Sequence, residues 1–376
     1  MFDFTILIVG AMLFVAYANG ANDNFKGVAT LFGGGVADYR NALWWATATT
    51  LAGSLAAFLL AGELISVFQG KGLVPPSLVQ SPAYLAAVIL GAALTVFAAT
   101  EIGMPISTTH SLTGALIGGG IAAVGFNLTA ATVWQSFFLP LLVSPLVALV
   151  FSAAAYLLLN AALRLAGIDK QTCVCVGNEV LPATVSAEGF VFSNASSGLR
   201  ILVDQETRCV QRLTGTLLGV NVHNLISYGH YLSAGAVSFA RGLNDTPKIV
   251  ALGLAAGALN LQWSIGLVAV VMALGGLLNA RKVAETVSNR ITALDADQGF
   301  VANLVTSVLV IFAFKWGLPI STTHVSCGAL FGIGAASGQA RWGVIRTILL
   351  AWILTLPFAA VSTGLIYLLF SRVAPA

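Results

Sequence analysis

The chain has 376 residues, 58% of them hydrophobic and only 8% charged, with a mean hydropathy of +0.92. A soluble domain carries about a quarter charged residues, so a soluble enzyme, a disordered chain, a collagen-like chain and a disulfide scaffold are excluded. What is left is an all-α polytopic membrane protein, and its net charge of +3 is too small to point to nucleic acid.

A crossing needs about 20 mainly apolar residues. The first such run, 4–18, has only Asp3 before it where a secretory signal needs basic residues, so it is read as a retained membrane helix. Further runs lie at 41–62, 82–101, 131–163, 213–240, 260–280, 299–316 and 343–371. Between them come shorter glycine-rich or proline-started runs at 24–37, 105–124, 246–258 and 319–337, which read as broken or re-entrant helices.

The stretch 166–212 differs. It holds Asp169, Lys170, Glu179, Glu188, Arg200, Asp204, Glu206, Arg208 and Arg212, and reads as a small water-facing insert. Phe190-Val191-Phe192 and Leu199–Val203 flank the turn-like Ser193–Gly198, which predicts a β-hairpin.

Two motifs occur twice, in the same order. Gly20-Ala-Asn-Asp-Asn-Phe-Lys26 is matched by Gly242-Leu-Asn-Asp-Thr-Pro-Lys248, and Gly103-Met-Pro-Ile-Ser-Thr-Thr-His110 by Gly317-Leu-Pro-Ile-Ser-Thr-Thr-His324. Chance does not produce that pairing, so residues 1–165 and 213–376 read as duplicated membrane halves around the insert. Lysine and arginine concentrate in short cytoplasmic loops. Arg164, Lys170, Arg200, Arg208 and Arg212 place the insert inside, as Arg281, Lys282 and Arg290 do for the loop 281–297. The equivalent loop of the first half, 63–81, holds only Glu63 and Lys71, so the halves read as inverted repeats.

Each proline of the Pro-Ile-Ser-Thr-Thr-His motif stops the preceding chain, and the serine and threonines after it are strong helix N-caps. A helix start between apolar stretches presents free N–H groups, partial positive charge and hydroxyls, which together suit an anion, phosphate above all. The anion ligands expected are Ser107, Thr108, Thr109, Ser321, Thr322 and Thr323. Asn22-Asp23 and Asn244-Asp245 carry hard oxygens within membrane segments, suited to Na⁺ or a proton. The neighbouring glycines and Pro247 suggest unwound backbone there, and the competing reading pairs each aspartate with Lys26 or Lys248.

His110 and His324 read as structural, and Glu101 has Lys315 as its counterpart in the second copy and so joins no symmetric site. His223 with His230 makes a weak metal signal, and Cys173, Cys175 and Cys209 lack a full zinc spacing. Cys327 reads as packing. No nucleophile–base pair marks an enzyme, and no cofactor is implied.

These paired motifs resemble the inorganic phosphate transporter family of cation-coupled symporters with inverted repeats. The resemblance implies phosphate near the two Ser-Thr-Thr starts, aided by Asn22 and Asn244, and driving cations near Asp23 and Asp245 with the same asparagines. The expected function is a multi-pass plasma-membrane secondary transporter importing inorganic phosphate with Na⁺, in a lipid bilayer and as a homodimer. An H⁺-coupled phosphate or sulfate symporter and an anion channel are the alternatives.

Overall fold

In the computed structural model, residues 4–60, 62–70, 72–126, 128–168, 172–180, 184–185, 191–192, 195–205, 213–289 and 295–373 are described. Asp3, Lys71, Asp169, Lys170, Glu188, Phe190, Ser193, Asn194, Glu206, Arg208, Cys209, Arg212 and Arg290, all used above, lie outside them. The chain separates into a membrane unit, residues 1–156 and 231–376, and a smaller unit, residues 157–230.

The first half of the chain runs α1 (Phe4–Asp23), a 3₁₀ turn (Asn24–Gly27), α2 (Ala29–Gly33), α3 (Tyr39–Leu60), α4 (Gly62–Phe68), α5 (Pro76–Val79), α6 (Pro82–Glu101), α7 (Thr108–Val124), α8 (Ala130–Thr132) and α9 (Leu139–Leu165). The second runs α10 (Val222–Ala255), α11 (Leu261–Asn279), α12 (Arg281–Asn289), α13 (Ala296–Lys315), α14 (Thr322–Ser337) and α15 (Trp342–Val373). Among the described residues, seven helices have the length and apolarity to cross a membrane: the first with its 3₁₀ turn, α3, α6, α8 through α9, α11, α13 and α15. Their burial sorts them. The most apolar stretch of α6 is 72% buried inside the protein, while those of the α8–α9 span and α15 are 22% and 28% buried. Leu142, Leu146 and Val150 of α9, and Ile353, Leu354 and Val361 of α15, are therefore the side chains left to lipid.

Small residues set the closest approaches. A Cβ at Gly20 would stand 1.9 Å from the Met272 carbonyl oxygen, and one at Gly242 would stand 2.2 Å from that of Thr50. The glycine of each Asn-Asp motif thus lets α1 lie on α11 and α10 lie on α3. A second pair crosses the halves. A Cβ at Gly114 of α7 would stand 2.4 Å from the Leu356 carbonyl oxygen of α15, and one at Gly328 of α14 would stand 2.4 Å from the Pro145 carbonyl oxygen of α9. The helix after each Ser-Thr-Thr motif therefore packs on the last long helix of the other half.

The loop that precedes α6 and the loop at 281 stand at opposite ends of α6. Its 20 residues span about 30 Å, and at its far end Glu101 takes an ion pair from Lys282 at 2.9 Å and a hydrogen bond from Asn279 at 2.9 Å.

Three expectations are corrected. The run 213–240 is not one span: Leu213–Asn221 is a strand, β5, and the helix begins at Val222. The run 246–258 is not a separate short helix either. It continues α10 through Pro247 to Ala255. The hairpin expected around Ser193–Gly198 gives way to a different sheet. Strand β1 (Thr172–Val180) pairs antiparallel with β4 (Ala195–Gln205) on one side and β5 on the other, in the order β4-β1-β5. Val191–Phe192 (β3) pairs instead with Thr184–Val185 (β2). Ser196, Ser197 and Gly198 become part of β4, at the irregularity in its register between Ala195, paired with Val180, and Leu199, paired with Asn178. Cys173 and Cys175 point to one face of β1, buried, with Leu202 packed against them.

Candidate functional site

Both Ser-Thr-Thr motifs form helix N-termini with the same backbone geometry. Ser107 (φ −102°, ψ 119°) caps α7 and accepts from the His110 amide at 3.1 Å. Ser321 (φ −101°, ψ 118°) caps α14 and accepts from the His324 amide at 3.2 Å. The serines are thus the caps, which leaves the threonines to face the interior; Thr108, Thr109, Thr322 and Thr323 are all buried. Their amides belong to the first turn, whose N–H groups have no intrahelical partner.

Thr109 and Thr323 stitch the halves together. Thr109 Oγ1 donates to the Ile320 carbonyl at 3.3 Å, and Thr323 Oγ1 donates to the Ile106 carbonyl at 3.2 Å. Each is also the acceptor for a lysine of the opposite half: Lys26 Nζ donates to Thr323 Oγ1 and Lys248 Nζ to Thr109 Oγ1, both at 2.9 Å. The two lysines complete their shells in parallel ways. Lys26 is ion-paired with Asp23 and donates to the Ile106 carbonyl at 2.7 Å and to Asn22 Oδ1 at 2.8 Å. Lys248 is ion-paired with Asp245 at 3.3 Å and donates to the Ile320 carbonyl at 2.7 Å. The aspartate–lysine pairing weighed from the sequence is therefore present in both copies, deep in the membrane unit and within reach of the helix starts.

Asn22 holds its neighbourhood in place. Its Nδ2 donates to Thr100 Oγ1 at 2.9 Å and to the Met104 carbonyl at 3.0 Å, while its Oδ1 accepts from the Ile106 amide at 3.2 Å. These bonds tie α1 to the end of α6, at Thr100, and to the linker between α6 and α7, at Met104 and Ile106. Asn244 is its counterpart only in part. Its Nδ2 donates to Thr322 Oγ1 at 3.1 Å and to the Ile320 carbonyl at 3.4 Å, and its buried Oδ1 has no partner among the described residues. The backbone differs too. The first Asn-Asp pair ends α1 before the 3₁₀ turn, while the second lies inside continuous α10, so the expected unwinding occurs only in the first half.

Two central residues were not singled out as ligands by their sequence. Asn19 and Arg241 occupy the same position of the repeated motif and meet: Arg241 Nη1 donates to Asn19 Oδ1 at 3.1 Å. Arg241 Nη2 donates to Asn24 Oδ1 and Thr50 Oγ1, each at 3.2 Å. Asn19 Nδ2 reaches both aspartates, donating to Asp23 Oδ2 at 3.0 Å and Asp245 Oδ2 at 3.2 Å, and also to Thr108 Oγ1 at 2.9 Å. Thr108 Oγ1 in turn donates to Asp23 Oδ2 at 3.2 Å. The signal that could have found them was their shared place in the repeated motif, directly before Gly20 and Gly242. In this buried centre Lys26, Lys248 and Arg241 stand against Asp23 and Asp245, a formal excess of one positive charge.

The remaining candidates fall around this centre. His110 and His324 lie with ring centroids 4.3 Å apart, and His324 stacks edge-on to Trp352 at 3.7 Å. Glu101 is exposed and paired with Lys282, and Cys327 is packed inside α14. The side chain of His223 and all of Cys209 lie outside the described residues. Among the described residues, no three of His, Cys, Asp and Glu gather as a metal site.

Known proteins with this pattern are transporters. The model of the phosphate transporter family matches residues 19–363. A protein of Rhizobium meliloti described as a probable low-affinity inorganic phosphate transporter is 27% identical over 385 residues, covering 99% of this chain and 98% of its own. The chloroplastic inorganic phosphate transporter 2-1 of Arabidopsis thaliana is 27% identical, covering 99% of this chain and 73% of its own. A solved structure called the sodium-dependent phosphate transporter superposes with a TM-score of 0.75 at 22% identity, over 99% of this chain and 100% of its own.

Proposed function

This chain belongs to the phosphate transporter family, and from that premise we propose that it is a secondary transporter that binds inorganic phosphate at the centre where the two Ser-Thr-Thr helix starts meet. One observation carries the reading: two capped helix N-termini from opposite halves open on a buried centre with an excess of one positive charge. Helix starts and hydroxyls favour an anion there, and a phosphate monoanion would neutralise the excess. Thr108, Thr109, Thr322 and Thr323 are the proposed hydroxyl ligands. Ser107 and Ser321 shape the two starts, and Asn22 and Asn244 position the linkers.

Inversion of the halves is supported by α6, which starts directly after the first of the equivalent loops, 63–81, and meets the second, at Lys282, with its other end. An exchange of outward and inward access about the central site follows from such symmetry. The geometry favours a binding centre over a channel, since the threonines, lysines and aspartates are buried and joined across the halves rather than lining an open path.

Sodium as the driving ion is supported by the hard oxygens of Asp23 and Asp245 and by the name of the structural neighbour. Against it stands the occupation of both carboxylates by lysine. Phosphate over sulfate is supported by the acceptors at this centre, because only phosphate carries a proton to donate to them.

Uptake of labelled phosphate into proteoliposomes, with Na⁺ and pH gradients imposed separately and sulfate as competitor, tests the reading. Saturable phosphate uptake that Thr109→Val and Thr323→Val both weaken is the expected result. Uptake insensitive to both substitutions, or equal competition by sulfate, refutes it.

A further inference from the structure

The oxygens around the two lysines form one set, repeated. Lys26 Nζ meets the Asp23 carboxylate, the Ile106 carbonyl at 2.7 Å and the Thr323 hydroxyl at 2.9 Å. Lys248 Nζ meets the Asp245 carboxylate at 3.3 Å, the Ile320 carbonyl at 2.7 Å and the Thr109 hydroxyl at 2.9 Å. A carboxylate, a backbone carbonyl and a hydroxyl, drawn from two elements of one half and one element of the other, are hard oxygen ligands of the kind an alkali cation takes. Lys26 adds the Asn22 side-chain oxygen at 2.8 Å as a fourth. Both lysines are buried, so each ammonium has exchanged water for these oxygens.

Resting on the phosphate reading above, we infer that Lys26 and Lys248 are tethered cations standing where co-transported sodium ions would stand, and that phosphate binding in this protein is independent of Na⁺. The argument is one of space and charge. An ammonium and a Na⁺ cannot share one oxygen shell, and a cation added beside each lysine would meet a like charge with its carboxylate already neutralised. The lysines also do the work that sodium would do for the anion. They cancel Asp23 and Asp245, which would otherwise repel phosphate, and with Arg241 they leave the centre positive. The stem that holds each ammonium starts three residues after its aspartate, so this cation stays with the protein when the anion leaves.

The test uses the full chain in detergent, with Na⁺ or choline as the only added monovalent cation. Calorimetric titration of inorganic phosphate is predicted to give dissociation constants within about twofold in the two salts, where coupled ligands differ by about 5–150-fold. Thermal melting without phosphate is predicted to be the same in both. In Lys26→Ala/Lys248→Ala the emptied oxygens become a real cation site, so phosphate affinity falls in choline and is restored at least about fivefold by Na⁺. Wild-type phosphate affinity that rises fivefold or more with Na⁺ overturns the inference, as does a Na⁺-specific rise in the melting temperature of the phosphate-free protein. A folded double variant that Na⁺ fails to rescue overturns it as well. Absence of phosphate binding in either salt instead refutes the phosphate reading, and the melting comparison still decides the place of the tethered cations.

Discussion

Thr323 and Thr109 offer a matched pair of perturbations whose sizes can be worked out beforehand. In Thr323→Val, shape is nearly kept while Oγ1 is lost, and with it the bond accepted from Lys26 at 2.9 Å and the bond donated to the Ile106 carbonyl at 3.2 Å. A bond to a charged group contributes about 1.5–3 kcal/mol and a neutral one about 0.5–1.5 kcal/mol. Lys26 keeps three other oxygens, from Asn22, Asp23 and Ile106, so the lower end applies and the loss is about 2 kcal/mol. Thr109→Val removes the equivalent bonds, to Lys248 and the Ile320 carbonyl, but Lys248 keeps only two other oxygens, those of Asp245 and Ile320. Its loss should therefore be greater, about 3 kcal/mol. Denaturant unfolding in one detergent, followed by tryptophan fluorescence, gives both values. Adding Lys26→Met completes a double-mutant cycle with Thr323→Val, and its expected coupling is about 1–2 kcal/mol. Additivity within about 0.5 kcal/mol would show that the bond between the halves contributes nothing, and the reading of Lys26 as a residue of the opposite half's helix start would fail.

Arg241→Met should weaken phosphate binding about tenfold or more, since it removes the excess positive charge and leaves Asn19 Oδ1 and Asn24 Oδ1 without their donor; unchanged affinity by calorimetry would take Arg241 out of the anion's field. Gly328→Ala should destabilise the protein by about 1–3 kcal/mol, because its Cβ would lie 2.4 Å from the Pro145 carbonyl. Gly266→Ala, with nothing within 4 Å, is the control in the same unfolding assay and should lie within about 0.5 kcal/mol of wild type. Cysteines placed at the exposed Ser77 and Glu285 should react with a membrane-impermeant thiol reagent from opposite sides of the bilayer, and labelling of both from one side would make the halves parallel.

Much of the architecture is carried by short-range signals, and these were legible in the chain itself. Hydropathy marks the spans because every crossing must satisfy the same hydrocarbon thickness. Pro105-Ile106-Ser107 and Pro319-Ile320-Ser321 mark two helix starts because a proline stop and a serine cap act within a few residues. The duplication was likewise visible, and it implied that the two starts share one centre. Tertiary structure decided what depends on distant partners. Leu213–Asn221 is as apolar as the beginning of a span, and only the neighbouring strand β1 makes it part of a sheet. Asn-Asp reads alike in both halves, yet one copy ends a helix and the other continues through Pro247, since the surrounding helices determine where the backbone can be left unpaired. Most of all, the sequence could pair Lys26 only with Asp23, three residues away. The carbonyl of Ile106 and the hydroxyl of Thr323, 80 and 297 residues further on, belong to its shell because the two halves fold against each other. Oxygen ligands that looked free for a sodium ion are, in the folded chain, already held by its own ammonium groups.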